Sequence, residues 1–255
     1  MLAHQRDEKI LDRLRETGSA SAQDLMALLN VSGPTIRRDL ERLEQEGALQ
    51  RVHGGAYLAG GAPEAVAEQP FGAVVDQNAS VKDAVAAAAA ALVTDGQVVL
   101  LDIGTTTMRI AHHLRGRKVT VITSSLAILD VLRNDDVVDL VLLGGAVRRN
   151  YQTLVGPLTE DALASISADI AFLSCTGVRS DGAVVDDISR EASVKRAIVS
   201  AANQVVLVAP ANKFPGTGSL KICALSEIDV LVTSSGAVEA TLAQYTEAGG
   251  RVVFA

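Results

Sequence analysis

Residues 21–43 constrain this chain more than any other stretch. Ser21-Ala22-Gln23-Asp24-Leu25-Met26-Ala27-Leu28-Leu29 has the apolar spacing of one short helix, with Leu25, Leu28 and Leu29 on its inner face. Asn30-Val31-Ser32 interrupts it. A second helix is predicted over Gly33-Pro34-Thr35-Ile36-Arg37-Arg38-Asp39-Leu40-Glu41-Arg42-Leu43. Ser32 is placed to cap it, and Pro34 is tolerated in the first turn, where its missing N–H would have no partner. Ile36, Leu40 and Leu43 follow i, i+4, i+7 and face inward, toward a preceding helix that carries Ile10, Leu11 and Leu14. Two short helices around a tight turn describe a helix-turn-helix, whose second helix fits a DNA major groove.

With Ile36 and Leu40 turned inward, Thr35, Arg37 and Arg38 fall on the outward side of the first turns, the part that meets base edges. An arginine there bonds a guanine edge at two points, worth about 1–3 kcal/mol of discrimination. An isolated Arg-Arg pair is more often solvated surface; the helix-turn-helix frame reverses that expectation. Leu49 to Ala56 alternates briefly and then turns, which predicts a hairpin wing. Arg51 and His53 on it face phosphate or the neighbouring groove, although an ordinary turn histidine is an equal reading of His53.

Bulk charge argues the other way. The 255 residues carry a net charge of -7, where a DNA reader is usually basic. Even residues 34–53 balance, with Arg37, Arg38, Arg42 and Arg51 against Asp39, Glu41, Glu44 and Glu46. A cationic surface must therefore come from geometry, with arginines on one face and carboxylates on another. Neither a secretory leader nor an apolar run of about 18 residues is present, so a cytoplasmic protein is expected. Cys175 and Cys223 read as reduced, buried thiols.

Leu58 to Pro70 holds Gly60, Gly61, Pro63 and Pro70 with little periodicity and reads as a linker. The domains expected are 1–57, a linker over 58–72, and 73–255. In the last, apolar runs at 98–101, 119–122, 138–143, 169–173, 205–208, 230–232 and 252–254 alternate with helical stretches at 107–114, 126–133, 159–165, 189–202 and 238–247. Ala84 to Leu92 reads as a further, buried helix. Alternation of this kind predicts an α/β domain with a doubly wound, mostly parallel, Rossmann-like sheet. The dominance of Ala, Val, Leu and Ile, with no Trp, suits a sheet covered on both faces.

Ligands in such sheets sit at the carboxyl ends of the strands. Asp102-Ile103-Gly104-Thr105-Thr106-Thr107 follows one run and opens a helix, which offers free N–H groups, a dipole and three hydroxyls to a phosphate. It lacks the Gly-Lys-Ser/Thr of a P-loop. A capped turn without a ligand is an equal reading of this loop alone. Ser124, Gly144, Gly145 and Lys213 stand at other strand ends, with Lys82 and Lys195 as weaker cationic candidates. No metal ligands or cofactor motif stand out. A sugar-phosphate isomerase needs a carboxylate base. Asp102, Asp181, Asp186 and Asp187 are available, but no spacing marks any of them, and an enzyme is not expected.

Val31-Ser32, Thr35-Ile36-Arg37-Arg38-Asp39-Leu40, Leu43-Glu44, Gly47, Leu49, Arg51 and His53-Gly54-Gly55-Ala56 resemble the N-terminal signature of the DeoR-type bacterial transcription regulators. The resemblance continues through Asn78, Lys82, Asp102 to Thr107, Ile122 to Ser125, Leu143 to Gly145, Gly156-Pro157, Asp169, Phe172 and Lys213-Phe214. It implies a winged helix-turn-helix joined to a sensor domain similar to ribose-5-phosphate isomerase. It also implies a repressor with a sugar-phosphate sensor, in which the Gly-Thr-Thr loop holds the effector phosphate. The favoured expectation is a repressor of carbohydrate-metabolism genes, a homo-oligomer (dimer or tetramer) on a double-stranded DNA operator, relieved by a phosphorylated sugar or related metabolite. The chain departs from the family at Ser124, where Asn is usual, at Ala209 to Asn212, where an Asp is usual, and at Ser234, where Asp is common. These departures lie on the sugar-facing side. Repressor and activator are not separable from the sequence.

Overall fold

The structure, a computed structural model, describes residues 3–17, 19–52, 55–58, 69–216, 218–237 and 239–255. The chain divides into two compact units, Met1–Glu68 and Gln69–Ala255.

The first unit runs α1 (Ala3–Thr17), β1 (Ser19–Ser21), α2 (Ala22–Leu29), α3 (Gly33–Gln45), β2 (Leu49–Val52) and β3 (Gly55–Leu58). Ile10 and Leu14 of α1, Leu25 and Leu29 of α2, and Ile36, Leu40 and Leu43 of α3 form one buried cluster with Leu49 and Ala56. Helical periodicity thus sets the packing as expected, with one exception. Leu28 is 57% exposed, because only Leu25 and Leu29, four apart on this two-turn helix, share the inward stripe. Asn30 turns the chain between α2 and α3 at φ +51°, a conformation Asn adopts more readily than most residues. The wing is an antiparallel sheet in the order β1-β3-β2, with Leu49 opposite Leu58 and Val52 opposite Gly55. His53 and Gly54 lie outside the described residues, as does most of the expected linker, 59–68.

The second unit is built on α4 (Phe71–Val74), α5 (Ala79–Ala90), β4 (Val98–Leu101), α6 (Thr105–Leu114), β5 (Thr120–Thr123), α7 (Leu126–Leu132) and β6 (Asp139–Leu142). Then come β7 (Ala146–Arg148), β8 (Thr153–Val155), α8 (Pro157–Ala164), β9 (Ile170–Leu173), β10 (Gly177–Val178), β11 (Ala183–Asp186) and α9 (Ser189–Ser200). It closes with β12 (Val205–Val208), β13 (Leu220–Ala224), β14 (Val230–Thr233), α10 (Glu239–Glu247) and β15 (Arg251–Phe254). The seven strands read from the apolar runs form one sheet in the order β15-β14-β12-β9-β4-β5-β6, and every pairing in it is parallel.

Alternate residues of the inner strands feed two separate cores. Leu100, Ala171, Leu173, Leu207 and Leu231 pack with Leu163, Val194, Ile198, Leu242 and Tyr245 of α8, α9 and α10. Val99, Leu101, Phe172, Val206 and Val232 pack with residues of α5, α6 and α7. That is a sheet covered on both faces, with the period of two that a strand imposes. The Ala-rich helix is α5, where small side chains let the helix lie close: Val85, Ala86 and Ala89 are fully buried. Two antiparallel additions were not expected: the hairpin β7-β8 and the sheet β10-β11-β13.

Candidate nucleic-acid interface and ligand crevice

On α3 the charges separate by geometry. Asp39 is buried, and both its oxygens are held by Arg6 of α1 at 2.7 and 3.0 Å. Arg42 reaches Asp7 with two bonds of 2.7 and 2.9 Å. Two carboxylates are therefore neutralised on the inner side of the helix. Arg37 and Arg38 are exposed. Arg37 has a loose pairing with Glu41 at 3.4 Å between two well-exposed side chains, worth a few tenths of a kcal/mol. Arg38 has no hydrogen-bond or ion-pair partner among the described residues.

Ser32 precedes α3 in extended conformation, as a cap residue does, but makes no side-chain cap bond. Its hydroxyl lies 2.9 Å from the hydroxyl of Thr35. The expectation of a hydroxyl-to-backbone cap is corrected: the two outward hydroxyls pair with each other. Arg51 stands on β2 opposite Ala56; its side chain lies outside the described residues, as does His53.

In the sheet, the chain runs outward from β4 through β5 to β6, then returns to the other side of β4 as β9. This reversal is the switch point at which open α/β sheets bind ligands. Asp102 leaves β4 and Ser174 leaves β9 on either side of it. Asp102 Oδ2 accepts the Ser174 N–H at 2.9 Å and lies 2.8 Å from Ser174 Oγ. The ammonium of Lys195, from α9, forms a buried ion pair with the same oxygen and donates to Ser174 Oγ at 2.8 Å. Burial alone would lower the Lys195 pKa; Asp102, Asp186 and Glu191 together hold it above its ordinary value. Glu191, one turn earlier on α9, pairs with Arg148 of β7, and burial pushes its carboxyl up to about 7. The sequence treated Lys195 as a minor candidate and left Glu191 and Arg148 aside.

Above this buried base, Gly104 opens α6 at φ +134°, a conformation that favours glycine. A Cβ there would meet Ser174 Oγ at 3.2 Å. Helix α6 starts at Thr105, two residues before the expected Thr107. The N–H groups of Thr105, Thr106 and Thr107 therefore lie in its first turn without intrahelical acceptors. The Thr105 and Thr106 hydroxyls make no hydrogen bond to a described residue. Thr107 differs: its hydroxyl is buried and donates to the Gly104 carbonyl at 3.0 Å. Three free hydroxyls become two.

The other sequence candidates divide in the same way. Ser124 is buried at the end of β5, and its carbonyl accepts the Leu154 N–H at 2.9 Å. Gly144 has open space where a Cβ would stand, while a Cβ on Gly145 would collide with the Thr159 hydroxyl and come 2.9 Å from the Val155 carbonyl. Close packing explains Gly145 without a ligand. Lys213 is half-buried and its ammonium has no partner among the described residues. Burial, and then the like charges of Lys213 and Arg109, hold the Lys82 ammonium below its ordinary value. At the departure Ser234, the hydroxyl accepts the Ala211 N–H at 3.0 Å and so supports the turn that carries Lys213.

Among the described residues, no helix is long and apolar enough to cross a membrane. Residues 6–60 match the DeoR-like helix-turn-helix domain, and residues 77–235 match the DeoR C-terminal sensor domain. The uncharacterized HTH-type transcriptional regulator YgbI of Escherichia coli K12 is 37% identical over 94% of this chain and 92% of its own length. The HTH-type transcriptional repressor GlcR of Bacillus subtilis is 32% identical over 91% of this chain and 89% of its own. The glycerol-3-phosphate regulon repressor of Haemophilus influenzae is 31% identical over 89% and 88%. Among solved structures, ribose 5-phosphate isomerase A of Methanocaldococcus jannaschii aligns with 54% of the chain and 55% of its own, at a TM-score of 0.40 and 20% identity. With a helix-turn-helix in one unit and a parallel α/β sheet in the other, and with both family models matched, the chain belongs to the DeoR family of DNA-binding transcription regulators.

Proposed function

We propose that this regulator is a repressor whose hold on its operator is released by a phosphorylated sugar or related metabolite. The observation that carries the DNA half is the separation of charge on α3. Asp39 and Asp7 are occupied by Arg6 and Arg42, so Arg37 and Arg38 stand outward although the chain as a whole is acidic. A homo-oligomer sets two such helices one DNA turn apart on paired half-sites. Relatives named as repressors support the sign of regulation.

The effector half rests on the first turn of α6. Its free N–H groups and the Thr105 and Thr106 hydroxyls form the proposed anion cradle, and Lys82, which donates to the Val74 carbonyl at 2.7 Å, and Lys213 are the candidate cations for it. Asp102 lies beneath it as the partner of Lys195, which removes it as a general base. Ser124 and Gly144 border the sugar-facing side. To move the regulator from 99:1 to 1:99 between its two states, the effector needs about 5.5 kcal/mol of differential affinity.

The test pairs two double variants. Arg37→Ala with Arg38→Ala is expected to weaken binding to a duplex selected by the wild-type chain by about 1–3 kcal/mol per lost base contact, with the melting temperature unchanged. Thr105→Val with Thr106→Val is expected to keep DNA affinity and to lose release by a panel of sugar phosphates. Wild-type DNA affinity in the arginine variant overturns the reading helix. Wild-type release in the threonine variant moves the effector elsewhere.

A further inference from the structure

A series of contacts and chain neighbours leads from the base of the α6 loop to the first residues of the second unit. Asp102 holds Lys195 in a buried ion pair. Lys195 lies one helical turn from Glu191, which pairs with Arg148, the last residue of β7. Past Arg148 the chain reaches the tip of the β7-β8 hairpin. There the Asn150 carbonyl accepts the Phe71 N–H at 2.9 Å. The Tyr151 ring meets the Phe71 ring edge-on, with centroids 5.5 Å apart and planes at 87°. Phe71 is buried and opens α4, two residues after this unit begins at Gln69. It is the first buried anchor after the segment that leads from the DNA-reading unit.

The hairpin is tied at its other strand as well. Leu154 N–H donates to the Ser124 carbonyl and Leu126 N–H to the Gln152 carbonyl, at 2.9 and 2.8 Å, so β8 is bound to the end of β5. The network beneath is buried: Lys195 and Asp102 keep 1% and 0% side-chain exposure, and Glu191 keeps 2%. Buried charges of this kind are costly to leave unpaired, so a displacement of one member is transmitted to its partners.

We propose that this series couples effector binding to DNA release. An anion at the first turn of α6 displaces Asp102 and with it Lys195, Glu191 and Arg148, and the β7-β8 hairpin passes the shift to Phe71 and the chain that precedes it. Arg148, Glu191 and Tyr151 are positioning residues that touch neither DNA nor effector. The inference rests on the effector reading of the α6 loop given above.

Hydrogen exchange of the full chain, read by mass spectrometry, tests it. Inorganic phosphate and glycerol 3-phosphate serve as probes, against chloride at matched ionic strength. In the wild-type chain either probe is expected to slow exchange at 104–108 and also, about fivefold or more, at 146–155 and 71–75. Glu191→Gln, Arg148→Met and Tyr151→Leu are each expected to keep the protection at 104–108 and lose it at 71–75, with Arg148→Lys restoring it. Tyr151→Leu leaves the buried pair intact and decides the matter if Glu191→Gln does not fold. Protection at 71–75 that survives both Arg148→Met and Tyr151→Leu overturns the coupling while leaving the loop reading in place. No protection at 104–108 in the wild-type chain sinks the loop reading, and the coupling with it.

Discussion

The two units treat charge in opposite ways. In the DNA-reading unit the ion pairs sit around the rim of a small core: the Arg6, Asp39, Asp7 and Arg42 side chains retain between 7% and 39% exposure. In the sensor unit Lys195 and Asp102 keep 1% and 0%, and Glu191 keeps 2%. Rim pairs hold helices together and sort the remaining arginines to the outside at modest cost. Fully buried pairs are expensive to desolvate and tolerate no missing partner. Charge that organises a surface and charge that organises an interior therefore have different tolerances to substitution.

Lys195→Met gives the largest expected effect. It leaves Asp102 charged, buried and uncompensated, and should destabilise the sensor unit by about 3–5 kcal/mol. Urea unfolding followed by probes in each unit reads this, and a loss confined below 1 kcal/mol would erase the contrast. Next comes pH. The Glu191 carboxyl is raised from 4.5 to about 7, chiefly by burial. The folded chain then binds more protons than the unfolded one across that window, so stability falls as pH climbs through it and the penalty is complete above about 7. A shift of this size amounts to up to about 3 kcal/mol, and Glu191→Gln should flatten the slope. In the rim, Asp39→Asn should cost about 1–3 kcal/mol, as one carboxylate loses its bonds to Arg6 and Arg42. The smallest effect belongs to a glycine pair. Gly144→Ala faces open space and should stay within about 0.5 kcal/mol, whereas Gly145→Ala meets Thr159 and Val155 and should lower the melting temperature measurably.

Legibility from sequence follows how local the physics is. The runs at 98–101 and 205–208 are strands because four apolar residues in a row, buried on both faces, admit little else. Ile36, Leu40 and Leu43 point inward because the helical period says so. The strands β10, β11 and β13 escaped because they are short and pair across up to about forty residues, through contacts that exist only after folding. The same holds for the candidate site. The Gly104-Thr105-Thr106 turn is written in adjacent letters. The Lys195 partnership spans 93 residues and Glu191 with Arg148 spans 43, and nothing in either neighbourhood announces the other. Thr107 and Gly145 matched the composition of a ligand loop, yet one hydroxyl points back to its own backbone and one glycine accommodates a neighbouring strand and helix.

The strand order has a bearing on biosynthesis. β4 is an inner strand of the sheet, but its second neighbour, β9, comes about seventy residues later, after β5 and β6 have built outward on the opposite flank. During translation the three earlier strands emerge with one long flank bare, and the far edge, β15, follows every other strand of the sheet. The helix-turn-helix, by contrast, closes its contacts within the first sixty positions. A nascent chain of this design completes its helix-turn-helix well before its parallel sheet, so partially synthesised polypeptides present unpaired sheet backbone.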